Sequence, residues 1–104
     1  MDNFKAVYRI LSQLEQDMDN PKCNLSNISH EQLGVSKERW AKYIEMMSDV
    51  GYIKGAQIKR NIYGELVIDC SDMKITLKGL EYLQENSIMQ KIYKTIKGMA
   101  EIIP

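Results

Sequence analysis

Two short runs carry whatever recognition chemistry this 104-residue chain offers. Ser36, Lys37, Arg39 and Lys42 stand together in SKERWAK, and Lys59 and Arg60 in IKRNIYG. Lysine and arginine supply most of the affinity for nucleic-acid phosphate, and a small hydroxyl can add a positioning hydrogen bond. Other chemistries find no residues to work with. His30, the single histidine, has no ligand neighbours in the sequence and reads as exposed and structural. Cys23 and Cys70 form no C-x-x-C and read as a reduced pair of small hydrophobes. There is no glycine-rich phosphate loop, no nucleophile–base pairing and no paired acids suited to general acid–base work. Neither catalytic residues, a metal site nor a cofactor is expected, and the chain does not read as an enzyme.

Those two cationic runs can act together only if the elements carrying them bring them to one surface. Residues 3–18 read as a first helix. Phe4, Val7, Ile10, Leu11, Leu14 and Met18 keep a helical period, Asp2 is placed to cap the start, and Asn20-Pro21 ends the run. A second, short helix starts at Ser29, where S-H-E-Q fits a capping box, and stops at Gly34. Ser36 caps a third helix that Gly51 closes. On its wheel Trp40, Tyr43, Ile44, Met47 and Val50 share the inward side, with Trp40 as a core anchor. Glu38, Lys42, Glu45 and Asp49 share the outer side. Residues 52–60 and 65–71 follow as a two-stranded hairpin around Tyr63-Gly64-Glu65. Ile75-Thr76 leads into a fourth helix to Asn86, with Leu77, Leu80, Tyr82 and Leu83 inward. A fifth, from Ser87 over about 88–102, opens on the capping box S-I-M-Q.

A short helix, a tight glycine turn, a second helix and then a hairpin is the order of a helix-turn-helix followed by a wing. One unbroken helix could not fold its apolar face around so small a core. The break lets the first two helices brace the third, whose free side enters the major groove in DNA-binding versions. The expected fold is therefore α+β and mostly helical. It is a single winged helix-turn-helix domain over 1–104, with the helix-turn-helix about 29–50, the wing about 52–71, and two extra C-terminal helices about 76–86 and 88–102.

Charge limits what such a domain can bind. The chain balances 14 basic against 14 acidic residues, which argues against a non-specific, strongly basic nucleic-acid binder. Any anion-binding surface must be local. Acids exceed bases by two over residues 1–35, the middle cancels, and the five lysines after residue 73 exceed the acids there by two. Lysines at strand edges also serve to block edge-to-edge pairing, so Lys59 and Arg60 admit a structural reading beside the functional one. No apolar run reaches the roughly 18 residues of a membrane span. MDNFKAVYRI lacks the basic-then-apolar layout of a signal peptide. A cytoplasmic location without membrane contact is expected.

Three stretches carry a resemblance. LGVSKERWAKYIEMMSDVGYIKG is similar to the helix-turn-helix and first wing strand of bacterial winged-helix proteins. ITLKGLEYLQEN is similar to the L-T-x-K-G-x-x-Y-L that follows the wing in many of them. The tail YLQENSIMQKIYKTIKGM is more specific, and with it nearly the whole chain resembles the YjcQ-like family of small winged-helix proteins of Gram-positive bacteria and their prophages. The resemblance implies the architecture. DNA binding follows from it only by analogy of fold.

The leading expectation is a DNA-binding regulator of prophage or host type. Ser36, Lys37, Arg39 and Lys42 would meet double-stranded DNA in the major groove, and Lys59 and Arg60 would hold its backbone. The competing expectation is a protein-interaction winged helix without DNA binding, using the acidic outer face of the third helix or the apolar side of the fifth. In the fifth helix Lys91, Lys94 and Lys97 alternate with Ile88, Ile92, Tyr93, Ile96 and Met99. That helix can pack on the first helix or form the seam of a homodimer.

Overall fold

A computed structural model describes residues 3–21 and 25–86 of the chain. The expected cap at Asp2, the residue Cys23 and the expected fifth helix with its dimer seam lie outside the described residues.

The first helix, α1 (Asn3–Gln16), buries Ala6, Ile10, Leu11 and Leu14 along one stripe. It tightens into a 3-10 turn over Asp17–Asp19. Asp17 holds the turn: its carboxylate accepts from Gln13 Nε2 at 3.1 Å and Asn20 Nδ2 at 3.3 Å, and its carbonyl from the Asn20 N–H at 2.9 Å. Two of the six residues expected inward are not. Phe4 is 74% exposed because it sits at the edge of the stripe, and Met18 is 58% exposed because it falls past the last α-turn.

After a second 3-10 turn, Leu25–Ile28, comes α2 (His30–Leu33). Four residues cannot sustain a helix alone; this one is held at both ends. Ser29 Oγ accepts from the Gln32 N–H at 3.3 Å. At the other end the Gly34 N–H donates to Glu31 O at 3.1 Å and the Val35 N–H to His30 O at 3.0 Å, a Schellman stop. That geometry needs a left-handed residue, and Gly34 supplies it at φ +69°. His30, expected exposed, is half-buried.

Helix α3 (Lys37–Asp49) starts under a second serine cap, Ser36 Oγ accepting from the Arg39 N–H at 3.1 Å. It ends in a second Schellman stop, with Gly51 N–H to Ser48 O at 3.1 Å and Tyr52 N–H to Met47 O at 2.9 Å. Trp40 is the expected anchor. It is 9% exposed, and its Nε1 donates to Ile28 O at 2.7 Å, so the indole is buried with its one polar group satisfied. Tyr43, Ile44 and Met47 join Ile10, Leu11, Leu14, Ile28 and Leu33 in the core. Val50, expected with them, is the capping residue at the margin and is 46% exposed.

The hairpin forms, but not as one ladder. β2 (Gln57–Arg60) pairs antiparallel with β3 (Leu66–Asp69) in the register Gln57↔Asp69 to Arg60↔Leu66. β1 (Ile53–Lys54) pairs instead with β4 (Lys74–Ile75), beyond the expected end at residue 71. The interruption has a local cause. Cys70 O accepts from the Met73 N–H at 3.0 Å, a turn that sends buried Cys70 and Met73 into the core. Opposite it, Gly55 adopts φ +85°, and a Cβ there would lie 1.9 Å from Asp72 O. Ile75 is thus a strand residue, and Thr76 begins the last described helix, α4 (77–86). Thr76 Oγ1 accepts from the Gly79 N–H at 3.1 Å and donates to Gly51 O, tying the start of α4 to the end of α3. Leu80, Tyr82 and Leu83 pack on the core as expected. Leu77 does not: buried Gly79 faces inward, which puts Leu77 on the far side of the helix at 80% exposure.

Candidate interaction surface of helix three and the wing

Each of the six residues expected to contact DNA is placed by its element, and the placements diverge. Ser36 spends its hydroxyl on the α3 cap. Lys37, exposed on the first turn, lines a cleft between α3 and β3 with Ser29, Trp40 and Leu66. Arg39 turns the other way, towards α1, where its Nη1 donates to Asn3 Oδ1 at 3.0 Å. The Tyr43 hydroxyl donates to that same oxygen, so Asn3 fastens one flank of α3 to the start of α1. Lys42 alone of the four stands on the outer face, beside exposed Glu38, Glu45 and Asp49.

In the wing, strand alternation sends Lys59 and Arg60 to opposite faces of the ribbon. Arg60 shares the α3-facing side with buried Leu66 and part-buried Ile58 and Ile68. Its guanidinium reaches Glu38 across the gap, Nη2–Oε2 at 3.3 Å and Nη1–Oε1 at 3.5 Å, and Nη1 also donates to Gly64 O at 2.8 Å. The two side chains are 54% and 57% exposed, so the pair adds at most about 1 kcal/mol to stability. Its two-pronged geometry sets the wing's arginine against the first turn of the helix. Lys59 lies on the outward face with half-exposed Val67. There its charge, behind two hydrogen bonds from Ser71, helps hold the Asp69 carboxyl below its usual 3.8.

The tip is built by Asn61. Its Oδ1 accepts from the Tyr63 N–H at 2.9 Å and the Glu65 N–H at 3.0 Å, and the Gly64 N–H donates to Asn61 O at 3.0 Å. With the backbone satisfied this way, Ile62 and Tyr63 project at 92% and 79% exposure. The structure therefore brings Arg60 to Glu38 in the first turn of α3, leaves Lys42, Glu45 and Asp49 exposed further along that helix, and leaves Ile62 and Tyr63 exposed at the wing tip. Among the described residues no three His, Cys, Asp or Glu side chains gather as a metal site, and no helix is long and apolar enough to cross a membrane.

Sequence reasoning placed Arg60 at the wing but missed its partner, because nothing in the spacing links positions 38 and 60. The role of Asn61 was more accessible: an asparagine three residues before a glycine is a turn signal with a mechanism. Ile62 could have been noticed as a β-branched apolar residue inside a turn.

Three helices, a glycine-stopped helix pair and a ribbon clamped to the third helix define a winged helix-turn-helix protein. Within that class the chain belongs to the YjcQ family: the family model described as YjcQ protein matches residues 8–102. No curated protein and no solved structure matches the chain.

Proposed function

We propose that this protein is a cytoplasmic winged-helix interaction module, without catalysis or cofactor, that docks a protein partner through the outer face of α3 and the wing tip. The observation that carries this reading is the Arg60–Glu38 pair. It gives the wing's arginine a carboxylate partner in place of a phosphate and leaves Glu45 and Asp49 exposed with Lys42 on α3. Two acids against one lysine repel a polyanion. The same surface suits a partner that seats Ile62 and Tyr63 in an apolar pocket framed by basic side chains, since exposed aromatic and apolar anchors are the usual core of such contacts.

A second reading has its own support. Lys37 and Lys42 on α3 and Lys59 on the wing are all exposed, and exposed lysines on these two elements can follow a DNA backbone. On that reading the protein is a DNA-binding regulator of host or prophage type. One titration separates the two: fluorescence anisotropy of a labelled random-sequence duplex at low salt. The interaction module gives no rise up to about 10 µM protein, a range in which non-specific DNA binders respond. A salt-sensitive rise would overturn it in favour of DNA, provided Lys37→Ala, Lys42→Ala and Lys59→Ala each lower the salt slope by about one.

A further inference from the structure

Glu38 stands in two relations at once. It lies in the first turn of α3, where the partial positive charge of a helix start favours an acid. It also meets Arg60, 22 residues away, with both carboxylate oxygens on the terminal nitrogens of the guanidinium, Nη2–Oε2 at 3.3 Å and Nη1–Oε1 at 3.5 Å. The first relation accounts for an acid here in any helix. It does not account for the second, in which a two-oxygen anion fills a fork-shaped cation.

That fork is the group with which arginine grips phosphate, because carboxylate and phosphate offer it the same pair of oxygens. Gly64 O accepts from Nη1 at 2.8 Å, so the wing's own backbone holds the guanidinium near the tip. The exposed charges of α3 and of the wing side that faces it are in balance. Lys37, Lys42 and Arg60 stand against Glu38, Glu45 and Asp49, while Arg39 is turned to α1. Without Glu38 this surface would carry an excess cation and an arginine fork with no carboxylate in it.

We propose that Glu38 is the residue that sets the specificity of this surface, a role that rests on the interaction-module reading. It fills the Arg60 fork against a nucleic-acid backbone and so keeps the α3–wing face for a protein partner. Because both side chains are half exposed, the hold on Arg60 changes phosphate affinity by at most about fivefold. Repulsion by Glu45 and Asp49 supplies the rest of the discrimination.

Anisotropy of the same random-sequence duplex, carried at low salt to about 200 µM protein, covers the weak end of non-specific affinity. Glu38→Gln should bind about fivefold more tightly than wild type, with a salt slope steeper by about one. Glu38→Gln combined with Arg60→Gln should bind no more than about twofold more tightly than Arg60→Gln alone. Glu45→Gln removes the same charge about two turns further along the helix and should leave the slope unchanged. All of these side chains are exposed, so the variants leave the core intact. A Glu38→Gln protein that binds no more tightly than wild type would overturn the proposal and leave the interaction module standing. An equal gain with and without Arg60 would do the same, since Glu38 would then be one acid among three. Wild-type binding below about 10 µM would overturn the module itself, and with it the role given to Glu38.

Discussion

Single residues here act mostly by settling backbone geometry. Gly34 and Gly55 both sit at positive φ, but for different reasons. At Gly34 an added Cβ meets nothing within 4 Å, so Gly34→Ala should cost only the left-handed penalty, about 1 kcal/mol. At Gly55 the same methyl would run into the backbone carbonyl of Asp72 as well. Gly55→Ala should therefore destabilise by at least about twice as much, since the strand crossover must move. Urea denaturation of both variants checks the order; equal costs would mean that the crossover is soft. Asp69 gives a pH prediction. Its pKa is lowered first by the Ser71 hydroxyl, then by the Ser71 N–H, with Lys59 adding to it. A depressed carboxyl contributes stability above its usual value, and that contribution is lost as pH falls through the depressed one. For this exposed group the loss begins below about pH 4. An NMR titration of Ser71→Ala should show the Asp69 carboxyl moving back up towards 3.8.

Between elements, the informative contact is the clamp of wing to helix. Arg60 and Glu38 lie 22 residues apart and meet only because the ribbon folds back along α3. A double-mutant cycle with Glu38→Gln and Arg60→Gln should give a coupling of no more than about 1 kcal/mol, because both groups are half exposed. Amides at the wing tip should nonetheless exchange faster in either single variant. A coupling near zero with an unchanged tip would show that Asn61 and the ladder alone direct the wing. The paired serine caps and Schellman stops around α2 and α3 work at the same scale. Each satisfies helix-end groups within a few residues of sequence, and together they set the angle that lets α2 brace α3.

For the whole molecule, charge and exposure decide between partners more than fold does. A winged helix supports many functions, so the scaffold by itself argues for none. What separates them is where the charges end up. Arg39 is turned to α1, Arg60 is spent on Glu38 and Lys59 lies across the ribbon, so the cations spread over several surfaces instead of forming one strip. The flat DNA titration expected above concerns this scale. It reads the outer face of α3.

The helices and their ends were legible in the residues because caps, glycine stops and apolar periods are local. Ser29, Gly34, Ser36 and Gly51 act within four residues of themselves, and the structure keeps all four in the expected roles. The inward roles of Trp40, Tyr43, Ile44 and Met47 followed from the same period. Local pattern could not say how far each stripe extends, so Phe4, Val50 and Leu77 were expected inward and are exposed at its edges or beyond. Nor could it find the break in the hairpin, which arises from Gly55 meeting Asp72 across the ribbon. The direction of each cation was likewise decided only by tertiary packing. A lysine or arginine is long and flexible, and it points to whichever acceptor the fold brings within reach.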